Sequence, residues 1–333
     1  MITGGAGFIG SNFTRYWVRT HPSDTLVVFD ALTYAGSMSS LAGVEDAIEF
    51  VEGDICDQRS VSEALIGFGI DVVINFAAES HNSLAIVDPG RFFSTNVMGT
   101  QNLLEESRKA KVQRFHHIST CEVYGDLSLE STESFSESSP YLPRTPYNAS
   151  KAGADHAVRA YYETFELPVT ITNCCNNYGP YQFPEKVIPL FATNGLDKIS
   201  LPVYASSANR REWLHVDDHC SAIATVLEDG EIGSTYNVGS GYEASITQIA
   251  DSILDCLGAP DDLKMTVPDR PGHDRRYLLD STKIRSSLGW SPNIDFEEGL
   301  SSTVEWYRNN RSWWEPLKLR AQVDEKSWTT VGH

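Results

Sequence analysis

The chain has 333 residues, 41% of them apolar and 21% charged, which excludes a disordered polypeptide and supplies a core that needs no disulfide staples. Lysine and arginine number 26 against 45 aspartates and glutamates, a formal charge of −19, so binding to nucleic acid through a basic surface is excluded. An anionic ligand would need a local basic pocket set against this global field.

Read from its start, the chain runs Met1-Ile2-Thr3-Gly4-Gly5-Ala6-Gly7-Phe8-Ile9-Gly10. Glycines at 4, 7 and 10 let a backbone turn tightly against a pyrophosphate, and the helix that follows, entered through Phe8 and Ile9, offers free N–H groups and a positive dipole end. A glycine pattern alone also fits a plain turn, so its surroundings decide. A strand at 26–30 (LVVFD) ends in Asp30, where a carboxylate bonds a ribose 2′-hydroxyl and repels a 2′-phosphate, favouring NAD over NADP. Gly53-Asp54-Ile55 follows a strand at 48–52 and is placed to meet the adenine, and Phe76-Ala77-Ala78-Glu79-Ser80-His81 ends a strand at 72–77 near the nicotinamide. Only two residues precede Thr3, so the first strand is expected to be short or to begin ahead of Met1.

Further strands are predicted at 115–119 and 169–173, with helices at 61–68 and 91–109. The strands are short, β-branched and apolar on both faces, as in a parallel sheet covered on both sides. The expected fold is α/β, a Rossmann-type doubly wound parallel sheet. From about residue 181 prolines and loops become frequent, and regular alternation returns only in pieces such as a helix at 246–257. The predicted organisation is a dinucleotide domain over 1–180, a smaller C-terminal substrate-binding α/β lobe over 181–320 with the chain crossing between them, and a polar tail over 321–333.

Tyr147-Asn148-Ala149-Ser150-Lys151 puts Tyr147 and Lys151 on one helical face. Tyrosine, with an ordinary pKa of about 10, is a poor base at neutral pH, but a nearby ammonium favours its phenolate. Tyr147 can then take the proton of a sugar hydroxyl as the carbon gives up hydride, with Thr120 donating to the same oxygen. The cysteines at 56, 121, 174, 175, 220 and 256 show no CxxC or Cys/His spacing, so no metal is expected. No apolar run reaches the roughly 18 residues of a membrane span, no signal peptide is expected, and a reducing cytoplasmic setting with no membrane partner is inferred.

The stretches GGAGFIGSN, DALTYAG, GDI, AAESH, VYGD, TPYNASKA, NNYGPYQFPEKVIPL, RREWLHVDDHC and DRPGHDRRY, from Thr3 to about Trp290, resemble the dTDP-glucose 4,6-dehydratases of the extended short-chain dehydrogenase/reductase superfamily. The resemblance implies an NAD-dependent hydro-lyase acting on a nucleotide-sugar such as dTDP-glucose. Tyr147 serves as base for oxidation at C4, Glu122 removes the C5 proton as water leaves C6, and hydride returns to C6. It also implies NAD contacts from Ala77, Ala78, Ser80, Thr95 and Asn177, and substrate contacts from His81, Asn176, Lys186 and Val187. Pro202 and Tyr204 would line the base pocket, and Arg211, Arg270 and His273 would hold the phosphates. Members of the family dimerise through two helices per subunit, here 91–109 and 147–163, so a homodimer is expected.

The family motif places an aspartate, the acid that protonates the departing hydroxyl, where this chain has Cys121. Three readings stand: Glu122 does both acid and base work, the Cys121 thiol is the acid, or the elimination is lost. Asn82-Ser83-Leu84-Ala85 stands where the family usually has Val-Asp-Arg-Ser, and Ile246 falls near a family asparagine of the nucleotide pocket. The alternatives to the dehydratase are an NAD-dependent nucleotide-sugar epimerase or decarboxylase and, from another class, a catalytically degenerate NAD-binding sensor.

Overall fold

The structure is a computed structural model that describes residues 1–269, 272 and 274–320; the tail at 321–333 lies outside the described residues. The strands in chain order are β1 (Ile2–Thr3), β2 (Leu26–Asp30), β3 (Ile48–Glu52), β4 (Val72–Asn75), β5 (Arg114–Thr120) and β6 (Val169–Cys174). They continue with β7 (Asn176–Tyr178), β8 (Leu201–Tyr204), β9 (Arg210–His215), β10 (Thr235–Val238), β11 (Glu243–Ser245) and β12 (Lys264–Val267). Seven of them form one parallel sheet in the order β10-β6-β5-β4-β1-β2-β3. The order reverses beside β1, and at such a switch point the crevice beyond the strand ends is where doubly wound sheets bind ligands.

The β-branched composition explains the sheet: every residue of β2 and of β6 is buried, as strands covered on both faces require. Val27, Phe29, Val73 and Phe115 pack on one face against Leu103, Leu104 and Val158. Ile2, Ile74 and Ile118 pack on the other against Phe13 and Ile223. The first strand is short, two residues held in register between Val28–Phe29 and Ile74–Asn75.

The helix expected over 91–109 differs from that expectation. Its start is an α-helical turn at Pro89–Phe92, then seven residues of π-helix at Phe93–Gly99, and only then regular α-helix at Thr100–Ala110. The wider turns bring Asn96 against the backbone of Glu79, accepting from its N–H at 2.8 Å and donating to its carbonyl at 3.0 Å, while Asn96 also donates to Ser150 Oγ at 2.8 Å. Hydrogen bonding of Asn96 to two neighbouring segments accounts for the irregularity, which marks functional regions of helices in general.

A second body of structure lies beyond β6. β7, β9 and β11 form a three-stranded sheet and β8 pairs with β12. Their core joins Ile188, Phe191, Trp213, Ile249, Ile253, Leu300 and Trp314. The helix Val216–Asp229 and β10 return to the main sheet, so the dinucleotide unit takes in chain well past residue 180. Among the described residues no helix is long and apolar enough to cross a membrane. Phe115 on β5 is fully buried, and Phe115→Ala is expected to cost about 3–5 kcal/mol, read as a lowered urea midpoint.

Candidate active site

Between β1 and the helix Phe8–Thr20 the chain turns through Gly4, whose φ of 66° favours glycine and where a Cβ would lie 2.6 Å from the Ala77 amide nitrogen. A Cβ on Gly10 would collide with the Gly4 carbonyl, so loop and helix approach this closely only without side chains. Gly7 precedes the helix with no side-chain cap, leaving its first-turn N–H groups for a ligand. Gly4, Gly7, Phe8, Ile9 and Gly10 all line one large cavity of about 1420 Å³. Asp30, at the end of β2, lies on the same wall and accepts from the Ala6 and Leu32 N–H groups at 2.9 and 2.8 Å. Burial raises its pKa and these two amides oppose the shift. Asp54, Ile55, Ala77, Ala78, Ser80 and Thr95 line the cavity further along. The Oδ1 of Asn177 is buried with no partner among the described residues, an acceptor left over on the wall. A cradle only glycine can form, an uncapped helix start, a carboxylate at the end of β2 and a spare acceptor fit a dinucleotide.

The cavity continues past the ends of β5 and β6. The helix Pro146–Phe165 starts there because Thr145 caps it, accepting from the Asn148 N–H at 3.2 Å, and Pro146 fits its first position. It carries Tyr147 and Lys151 into the lining, opposite Thr120 and Glu122. Burial pushes the Tyr147 phenol well above its ordinary pKa, Glu122 adds to the shift, and a hydrogen bond with Thr120 opposes it. Lys151 Nζ donates to the Ile118 carbonyl at 2.7 Å, and burial lowers its pKa while Asp155 holds it up.

β5 ends in a 3-10 turn, Cys121–Tyr124, in which Thr120 Oγ1 accepts from the Glu122 N–H at 3.3 Å. Successive side chains in such a turn point about 120° apart. Glu122 therefore faces the cavity while Cys121 is turned into the core beside Tyr124, Cys174 and Leu214, with its thiol pKa pushed far up by burial. Cys121 is absent from the lining.

At the far end His81, Asn176, Lys186, Val187, Pro202, Tyr204 and Arg211 all line the cavity, with Ile246 close to Pro202 and Tyr204 on an apolar stretch of wall. Lys186 Nζ donates to the Ser80 carbonyl at 2.8 Å and lies 3.2 Å from Glu185. Arg211 donates to the carbonyls of Arg210, Asp274 and Arg275 at 2.7, 2.6 and 3.1 Å, and so pins the segment that follows residue 273. Arg270 and His273 lie outside the described residues.

Three lining or supporting groups went unread in the sequence. Glu185, next to Lys186, faces His81 Nε2 at 3.2 Å and accepts from the Tyr34 hydroxyl at 3.3 Å. Cys174 lines the cavity at the end of β6. Asp155 sits one turn beyond Lys151, and the spacing 147, 151, 155 was the signal that could have found it.

A doubly wound sheet whose switch-point crevice carries a glycine loop and a Tyr–Lys helical pair defines an NAD-dependent enzyme of the extended short-chain dehydrogenase/reductase class. A family model described as GDP-mannose 4,6 dehydratase matches residues 1–303, and the chain belongs to that family. It is 49% identical to a dTDP-glucose 4,6-dehydratase of Streptomyces niveus over 96% of this chain and 95% of the relative. The crystal structure of DesIV, a dTDP-glucose 4,6-dehydratase of Streptomyces venezuelae with NAD bound, superposes with a TM-score of 0.92 at 49% identity, covering 95% of this chain and 98% of that one. A UDP-glucose 4-epimerase of Thermus thermophilus in complex with NAD gives 0.86 at 29% identity over 93% and 98% of the two chains.

Because a Cβ at Gly4 would press on the Ala77 backbone, Gly4→Val is expected to leave the chain folded but with less than a tenth of the wild-type NAD content. Cofactor released on denaturing the purified protein, measured per chain, checks this.

Proposed function

We propose that the chain is a dTDP-glucose 4,6-dehydratase, converting dTDP-glucose to dTDP-4-keto-6-deoxyglucose with loss of one water. The observation that carries the proposal is the meeting of Thr120, Glu122, Tyr147 and Lys151 on one stretch of a cavity that runs back to the glycine loop. The Streptomyces relatives, at about half identity over nearly the whole chain, support the same reaction.

NAD, when bound, accepts the C4 hydride and later returns it to C6. Tyr147 takes the C4 hydroxyl proton, Thr120 holds the same oxygen through a hydrogen bond, and the Lys151 charge favours the phenolate. The resulting 4-ketone acidifies the C5 hydrogen, which the Glu122 carboxylate can remove. Glu122 then carries the proton that the departing C6 hydroxyl needs to leave as water, and as hydride returns to C6 a proton goes to C5, balanced by the one Tyr147 took from the C4 hydroxyl. The place of Glu122 on the wall, with Cys121 buried behind it, favours this single-residue reading over a thiol acid. Lys186 and Arg211, both on the cavity wall, supply positive charge for the diphosphate, set against a strongly acidic surface.

The proposal extends to a homodimer in the cytoplasm. Exposed Phe93, Met98 and Phe165 on the two helices expected at the interface, and six free cysteines, support it.

Incubation with dTDP-glucose is expected to yield a product one water lighter with no net NADH, read by mass spectrometry. An isomerised hexose in its place means an epimerase. Tyr147→Phe is expected to slow turnover by about 10²–10⁴-fold. Cys121→Ser, behind the wall, is expected to stay within about threefold of wild type, as surroundings that never touch substrate predict; a loss as large as that of Tyr147→Phe assigns the acid to the thiol.

A further inference from the structure

Lys151 is 4% exposed, and a buried ammonium persists only with a counter-charge and full hydrogen bonding. Asp155, one turn further along the same helix face, is fully buried. Its Oδ2 accepts from the hydroxyls of Ser119 at 2.8 Å and Tyr141 at 2.9 Å. Its Oδ1 lies 3.5 Å from His117 Nε2, and that nitrogen is 3.4 Å from Lys151 Nζ.

The His117 ring is also gripped from its opposite side. Thr3 Oγ1 accepts from the Ala77 N–H at 3.4 Å and donates to Asn75 Oδ1 at 2.7 Å. Asn75 therefore turns its Nδ2 to Thr100 Oγ1 and to His117 Nδ1, each at 3.2 Å. The ring thus has the Asn75 amide at Nδ1 and the Lys151 ammonium at Nε2, and Asp155 Oδ1, buried with no hydrogen-bond partner among the described residues, lies beside it. Burial, with the adjacent Lys151 charge, keeps the imidazole neutral. A neutral imidazole leaves Asp155 as the carboxylate that answers Lys151: burial raises its pKa, and Lys151, Ser119 and Tyr141 oppose the rise.

We infer that Asp155 is a positioning residue of the hydride-transfer site: held by Ser119 and Tyr141, with its other oxygen unpaired among the described residues beside the His117 ring, it is the fixed counter-charge that keeps Lys151 an ammonium, and Asn75 and Thr3 tie His117 and Lys151 to the strand that carries the glycine loop. The inference rests on the reading of Tyr147 as the base. The titratable groups around Lys151 and Asp155 are His117 on β5 with His116 beside it, Cys174 on β6, Glu122 and Cys121 on the turn after β5, Tyr141 before the helix, and Tyr147 and Arg159 on the helix. Glu122 is the other carboxylate among them, and its influence falls on Tyr147.

The sign follows directly. Without the Asp155 charge Lys151 gives up its proton at lower pH, and the Tyr147 phenolate, lacking its cation, forms only at higher pH. In Asp155→Asn, close in shape to wild type, the Lys151 titration followed by NMR on carbon-labelled lysine is expected to fall by at least about one pH unit. The acid limb of single-turnover NADH formation on dTDP-glucose should rise by about as much, with about a tenfold loss at neutral pH and NAD content unchanged. Asp155→Glu, which keeps the charge, should hold both near wild type. In a Lys151→Ala background Asp155→Asn should move the limb no further. An unmoved Lys151 titration in Asp155→Asn, a rate loss uniform across pH, or a limb moved equally in Asp155→Glu overturns the inference. If the Asn variant does not accumulate as NAD-bound protein, a raised limb in Asp155→Glu alone overturns it. Wild-type NADH formation by Tyr147→Phe would instead remove the base reading, and the Lys151 titration would still decide the role of Asp155.

Discussion

Because Lys151 lies inside the protein, it must receive from its surroundings what water would otherwise give: a carbonyl at 2.7 Å from Ile118 and a carboxylate one turn away. Nearly everything about the centre of the sheet serves that need. Polar residues stand on strands that are otherwise apolar, with Asn75 on β4 and His117 and Ser119 on β5 all buried. In a sheet covered on both faces such groups are tolerated when they satisfy one another, and here they form two runs of hydrogen bonds, Thr3–Asn75–His117–Lys151 and Ser119–Asp155–Tyr141, that face each other where Asp155 lies 3.5 Å from His117. The first begins at Thr3, which enters the glycine loop, and the second ends at Tyr141, which reaches on to Arg159 and Asn173. The glycine loop and Lys151 are therefore joined by an unbroken run of buried hydrogen bonds.

The remaining wall of the cavity comes from the smaller body of structure, and it is joined to the first by polar contacts. Tyr34 follows β2, Ser80 and His81 follow β4, and Glu185 and Lys186 precede the helix Val187–Leu196; they meet around the buried Glu185 carboxylate. The segments that line the two halves are thus cross-linked beside the ligand, and the length of the cavity is fixed by contacts between side chains that also face it.

The parts most legible in the sequence were those whose chemistry is local. Gly4, Gly7, Gly10 and Asp30 declare a dinucleotide loop because a tight turn and an acidic strand end are written in adjacent residues, and the Tyr147–Lys151 pair declares itself through helical spacing. The strands at 26–30 and 48–52 stand where apolar runs placed them. What stayed hidden depends on distant segments. Nothing near residue 121 says that a tight turn rolls Cys121 into the core, because that is decided by packing against Cys174 and Leu214. Arg211 reads as a phosphate ligand, yet two of the three carbonyls it meets lie some 60 residues along the chain, as the separation of 64 to Arg275 shows. The π-helical stretch is likewise set by Glu79 and Ser150, and periodicity over 91–109 carries no trace of it.

That stretch has a consequence for how the sequence can vary in length. A π-helical segment carries more residues per turn than its α-helical flanks, so it behaves as an absorbed insertion. Removing one residue between Phe93 and Gly99 would let the helix run regularly, and would rotate everything on one side of the deletion by roughly 100° relative to the other. Asn96 would leave Glu79 and Ser150, and Thr95 would leave the cavity. Outward residues such as Phe93 and Met98 can change identity with little effect within the chain, whereas the count of residues between Arg91 and Thr100 cannot change at all without dismantling one wall of the site.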